Sequence, residues 1–191
     1  MSIYSRDELL RMGFKAVGEN VAISDKASFY SAGNITIGSN VRIDDFCILS
    51  GNINIGNYIH IAAYSALFGG SAGIELRDFA NISSRVSIYA VSDDYSGATM
   101  TNPMIPDEYK NLTREPVIIS RHVIIGASSV VLPGAVLNEG ASFGAFSLIK
   151  GEIESWTINA GIPCRVIKPR RRDLLELEKN FQRGMVIMNE R

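Results

Sequence analysis

The chain has 191 residues, of which 46% are hydrophobic and 20% charged, with a net charge of −1. These figures fit a single folded domain with a sizeable core and exclude a disordered chain. The near-neutral balance argues against nucleic acid or an anionic membrane as a partner, and no stretch approaches the ~20 apolar residues of a membrane span.

The first eleven residues are charged and lack an apolar run, so no secretory signal is expected and the cytoplasm is the expected compartment. Ser5 and Glu8 form a capping-box pair ahead of Leu9, Leu10 and Met12, which predicts a short helix within an N-terminal cap, residues 1–16. From Val17 a period of six takes over. Large apolar residues recur at Val17, Ile23 and Phe29, from Ile37 to Leu67, at Leu76, Ile82 and Ile88, and from Ile119 to Ile149. Four residues after each stands a smaller one, as at Ala27, Val41, Cys47, Ser65, Ala135 and Ser147. A helix would repeat apolar residues every three and four and a strand would alternate; neither gives an exact six-residue step with a large and a small register. A triangular coil with three six-residue sides does, with the large register filling each side and the small one fitting near the corners. Glycines after ladder positions (Gly18, Gly38, Gly56, Gly126, Gly144) read as corners that need a conformation closed to other residues. The pattern predicts an all-β fold, a left-handed parallel β-helix over residues 17–168 of one domain, 1–191.

Three interruptions preserve the register: Ser31–Thr36, Gly69–Glu75, and a long loop over 89–117 rich in Ser, Asp, Asn, Gly and Pro. A loop of that length inside a regular solenoid is expected to be functional. Residues 169–191 are expected to hold a C-terminal helix with Leu174, Leu177 and Phe181 on one face, capping the open coil. The two cysteines, Cys47 and Cys164, lie far apart and form no metal-like spacing.

The segments Ile125-Gly126-Ala127-Ser128-Ser129-Val130-Val131-Leu132-Pro133-Gly134, Gly144-Ala145-Phe146-Ser147-Leu148-Ile149 and Asn159-Ala160-Gly161-Ile162-Pro163-Cys164-Arg165 resemble the late coils of hexapeptide-repeat acyltransferases, in the galactoside and maltose O-acetyltransferase branch. The resemblance covers about residues 17–170. It implies a homotrimer with active sites at subunit boundaries and acetyl-CoA as co-substrate. The pantetheine arm would run beside Gly126-Ala127 and Gly144-Ala145. The phosphates would meet Arg165 and Lys168, with Lys150, one residue displaced from the family pattern, and Arg170 as further cations. No metal is implied.

Acyl transfer to a hydroxyl needs a base and a donor for the developing oxyanion. The family commonly places a histidine at the start of the long loop, but this chain reads Val91-Ser92-Asp93-Asp94-Tyr95 there. Its two histidines are His60 and His122. His60 precedes ladder residue Ile61, so it points outward and is the candidate base; His122, before Val123, is read as the equivalent outward position. Asp93 and Asp94 are candidates to orient the base or bind the acceptor, with Tyr64, Tyr89 and Tyr95 as candidate sugar contacts. The expected activity is acetyl transfer to a hydroxyl of a sugar or polysaccharide precursor. The missing loop histidine keeps two alternatives open: N-acetylation of a nucleotide-linked amino sugar, whose amine attacks a thioester without a strong base, and a non-catalytic scaffold. Two histidines are too few for a zinc carbonic anhydrase, and no rank of outward threonines suggests an ice-binding surface.

Overall fold

The computed structural model describes residues 2–189. The chain winds into a left-handed parallel β-helix of about seven turns, flanked by two helices. Three rows of large residues line the inside. The first runs Ile23, Ile43, Ile61, Ile82, Ile125, Phe143 and ends in Asn159. The second runs Phe29, Leu49, Leu67, Ile88, Val131 and Ile149. The third runs Val17, Ile37, Ile55, Leu76, Ile119, Leu137 and Ile153. Each row is one face of a triangular prism in which every coil hydrogen-bonds to the next, and the aliphatic stacks are removed from water. The two end coils leave ladder residues half-buried, at Val17 and Phe29 in the first and Ile153 in the last.

The small register also points inward. Ser65, Ser129 and Ser147 are buried, and each hydroxyl donates to a corner carbonyl: Ser83 at 2.9 Å, Gly126 at 2.7 Å and Gly144 at 2.7 Å, respectively. A polar atom tolerates such a core only when it is bonded this way.

The glycine reading needs correction. Gly18, Gly38, Gly56, Gly126 and Gly144 are absent from the left-handed region, which is occupied at the corners by residues such as Asn40, Tyr58, Phe79, His122 and Trp156. The glycines are required because the next coil lies against them: a Cβ on Gly126 would stand 2.5 Å from the Ala145 nitrogen, and one on Gly56 would stand 2.5 Å from Asp78 Oδ1. The second interruption differs as well. Residues 69–75 form no loop; they are absorbed into one strand, Ala66–Leu76, that continues around the corner with register shifts beside Ile48–Ile55.

Helix α1 (Arg6–Arg11) has the expected capping box and buries Leu9 over the first coil. At the other end the coil edge is covered not by a helix but by the strand Arg165–Pro169, which returns antiparallel to Thr157–Ala160. Helix α2 (Leu174–Asn189) instead runs along the corner between the third and first faces. There Tyr58 stacks on Phe79 (5.0 Å), Phe79 on His122 (5.1 Å), and Phe181 meets Tyr58 edge-on at 5.4 Å. Leu177 is left exposed, so the docked face is Leu174, Glu178 and Phe181 rather than the one expected. Among the described residues no helix is long and apolar enough to cross a membrane.

Candidate functional site

The loop leaves the second face after Tyr89. Its neck is an antiparallel pair, Val91–Ser92 with Thr113–Arg114, and a bridge between Met100 and Lys110 closes it further out. Beneath it lies an open cleft of about 950 Å³. Its floor is the second face, Ser87, Tyr89, Val130, Leu132, Pro133 and Lys150; its roof is the loop, with Asp93, Asp94, Tyr95, Asn102, Pro103 and Lys110. The structure thus brings together Asp93, Asp94, Tyr89, Tyr95 and Lys150. No local signal marks Lys110 in the sequence, because loop lysines are common and nothing nearby shows one to be inward-facing. A more polar depression of about 770 Å³ on the third face, bordered by Lys15, Asn34, Asn52, Asn54 and Glu75, holds none of the candidate residues.

Loop hydrogen bonds orient the two carboxylates. Asp94 accepts from the Ser96 amide at 2.8 Å and the Thr99 hydroxyl at 3.0 Å, and Asp93 accepts from the Asn102 amide at 3.4 Å. The bonds from Ser96, then those from Thr99, hold the Asp94 carboxyl below the ordinary range. It is an anion at neutral pH: a good partner for an amine or hydroxyl, and a weak base. Tyr89 stacks on Phe68 at 5.2 Å and presents its edge to the cleft.

His60 is not in this cleft. It lies on the first face, half-exposed, with Nε2 2.8 Å from Asp44, which Arg42 also approaches at 2.7 Å. Burial alone would raise the Asp44 pKa, but hydrogen bonds from His60 and Arg42 reverse the shift and hold it low. Tyr64 also lies outside, at the corner between the first and second faces, stacked on Phe46 at 4.9 Å with Arg85 above it.

His122 is not equivalent to His60. The residue in register with His60 is Asn81, and the next coil places Ile124 there. His122 is a buried corner residue whose Nε2 meets Glu178 of α2 at 2.8 Å, beside the Arg121–Glu178 pair. It fastens α2 to the solenoid and has no open side for a substrate. Arg170 is likewise committed: its guanidinium donates to the carbonyls of His122 at 2.8 Å and Gly140 at 2.9 Å, and burial lowers its pKa.

Gly126, Ala127, Gly144 and Ala145 lie where the first face turns into the second on the late coils. Below them Arg165 pairs with Ala160 and Lys168 with Ile158, with a bulge between. Ala160 and Ile158 share the outer side of their strand, so the bulge puts both cations on that side. Lys150 stands apart from this pair, on the second face. Burial pushes the Cys47 thiol up to about 11 and raises that of Cys164, so neither is a thiolate nucleophile at neutral pH.

No family model matches the sequence. Over 185 residues the chain is 52% identical to a dTDP-4-amino-4,6-dideoxy-D-glucose acyltransferase of Escherichia coli, covering 95% of this chain and 96% of that one. Among solved structures it resembles AntD, an N-acyltransferase from Bacillus cereus in complex with dTDP and 3-hydroxybutyryl-CoA, at 54% identity and a TM-score of 0.95 over 96% and 98% of the two chains. Other structures of AntD carry S84A or D94N substitutions. A galactoside acetyltransferase in complex with coenzyme A shares the fold alone, at 22% identity and a TM-score of 0.58 over 87% and 70% of the two chains. These relatives favour the nitrogen acceptor, the alternative above, over the hydroxyl. The chain belongs to the hexapeptide-repeat acyltransferases.

Proposed function

We propose that the chain transfers an acyl group from an acyl-CoA to the amine of a dTDP-linked 4-amino-4,6-dideoxy sugar, as a homotrimer in the cytoplasm. The observation that carries this reading is the cleft under the loop. Its best-held polar group is an anionic Asp94, in a chain more than half identical, almost end to end, to enzymes described by that chemistry. Serine and aspartate stand here at the numbers substituted in AntD, Ser84 and Asp94.

In this reading the neutral amine attacks the thioester carbonyl, the C–S bond breaks from the tetrahedral intermediate, and coenzyme A leaves as the thiolate. The proton lost from nitrogen goes to the thiolate or to water. The nucleophile is the substrate's own amine, so no histidine is needed in the cleft. Asp94 orients that amine and offsets the positive charge it gains on attack. Asp93, Tyr89 and Tyr95 bound the sugar. The pantetheine arm lies along the corner of Gly126-Ala127 and Gly144-Ala145, and its phosphates meet Arg165 and Lys168. Ser84 sits at the corner beyond the cleft's Ser87 edge, its carbonyl bonded to the Ser128 amide at 3.0 Å. A second copy packed against that corner would complete the site.

One observation favours a hydroxyl acceptor: the His60–Asp44 pair is an imidazole held by a carboxylate, as a base for an alcohol requires. Competition decides between them. With acyl-CoA and equal amounts of dTDP-4-amino-4,6-dideoxyglucose and a galactoside, mass spectrometry should find the amide. Accumulation of the galactoside ester instead would overturn the reading, and loss of that ester in His60→Ala would assign the base.

A further inference from the structure

The two lysines of the cleft have no part in the chemistry above. Lys150 is exposed on the floor and follows Ile149, which is in register with Val131 and, a coil earlier, Ile88. It therefore stands two coils beyond Tyr89, after which the chain leaves for Asp93 and Asp94. At the spacing of adjacent strands that is about 10 Å along the axis. A floor of that length from Tyr89 to Lys150 has room for a pyranose ring and the diphosphate on C1.

Lys110 comes from the roof. Its side chain is 7% exposed, and its ammonium is 3.0 Å from an Asp107 carboxylate whose own side chain is 85% exposed. An enclosed ammonium with one solvated partner retains capacity for a second anion. The floor beside Lys150 is apolar, at Val130, Leu132 and Pro133, so the two ammonium groups are the cations that the cleft offers a phosphate.

We propose that Lys110 and Lys150 form a cradle for the acceptor's diphosphate, making the cleft selective for nucleotide-linked over free amino sugars. This rests on the amino-sugar reading of the cleft. It also moves Lys150 from the coenzyme to the acceptor: Arg165 and Lys168 lie on another face. The cleft then offers a carboxylate for the amine and two ammonium groups for the phosphates.

Calorimetric titration of the full-length protein with dTDP, thymidine and coenzyme A tests this on wild type, Lys150→Met, Lys150→Arg and Lys110→Met. Lys150 is exposed, so its variants are the primary ones; Lys110→Met is read only where its melting curve and coenzyme A binding match wild type. Lys150→Met should weaken dTDP on the order of tenfold or more, as loss of a charged hydrogen bond does. Thymidine and coenzyme A affinities should not change, and Lys150→Arg should restore most of the loss. Unchanged dTDP affinity in Lys150→Met, or weakened coenzyme A in its place, would overturn the cradle. If such a variant still acylates the amino sugar, the proposed function survives; a wild-type protein that neither binds dTDP nor acylates would sink both.

Discussion

Asp94 lies in the stretch, Val91 to Gly97, that the family resemblance aligns with a histidine-bearing loop start, and its hydrogen bonds set its charge there. Held low by bonds from Ser96 and Thr99, its carboxyl is an anion at neutral pH and has little tendency to take a proton. In the proposed reaction it acts by charge and position. Asp94→Asn should therefore lower kcat on the order of ten- to a hundredfold, with the deficit constant from pH 6 to 9. A deficit that varies across that range would mean Asp94 titrates during turnover. Asp93 and Asp94 are candidates in the sequence because they open the long loop where the family resemblance places a histidine, and both line the cleft. The sequence misjudged His122 because the six-residue step was counted from the wrong register: His60 precedes a large residue, Ile61, and lies in a strand, whereas His122 precedes one of the small register, Val123, as the corner residues Asn40 and Tyr58 precede Val41 and Ile59. Whether a side chain faces a cleft depends on the loop's path, which no periodicity encodes; Lys110 is the clearest case.

Two elements carry stability that the ladders alone do not explain. At Gly126 the next coil's backbone is so near that a methyl group must displace it, so Gly126→Ala should cost about 1–3 kcal/mol. If chemical denaturation finds no cost while coenzyme A binding falls, the glycine serves the ligand and not the packing. The segment before α2 is pinned by Arg170, which bridges two coils through the carbonyls of His122 and Gly140. Arg170→Ala leaves both acceptors without that donor, for about 1–3 kcal/mol. Calorimetry should show a melting point lower by roughly 2–4 °C for each kcal/mol at this length. The C-terminal helix itself was legible as apolar residues at helical spacing. Its docked face was not, because Leu177 and Glu178 exchange the roles that hydrophobicity alone assigns: Glu178 is drawn in by His122 and Arg121.

At the scale of the whole molecule the solenoid was readable almost throughout, since each ladder residue repeats the same demand on its coil. The assembly is read from what the single chain leaves unfinished. Phe46, Tyr64 and Phe146, all exposed, lie along the corner between the first and second faces, next to the coils assigned to the coenzyme. A second copy covering that ridge would bury it and close the groove. Light scattering should give three chain masses, and Phe46→Glu should lower the assembly state; a monomeric wild type at micromolar concentration would contradict the trimer.

The central claim is that the cleft beneath the loop acylates nitrogen. Its most direct test is the rate of coenzyme A thiol release with two acceptors that differ at one group, dTDP-4-amino-4,6-dideoxyglucose and the same nucleotide sugar with a hydroxyl at C4. Saturable release with the amine and only background hydrolysis with the alcohol is the predicted result. Equal or faster release with the alcohol would contradict the account and return the chemistry to His60.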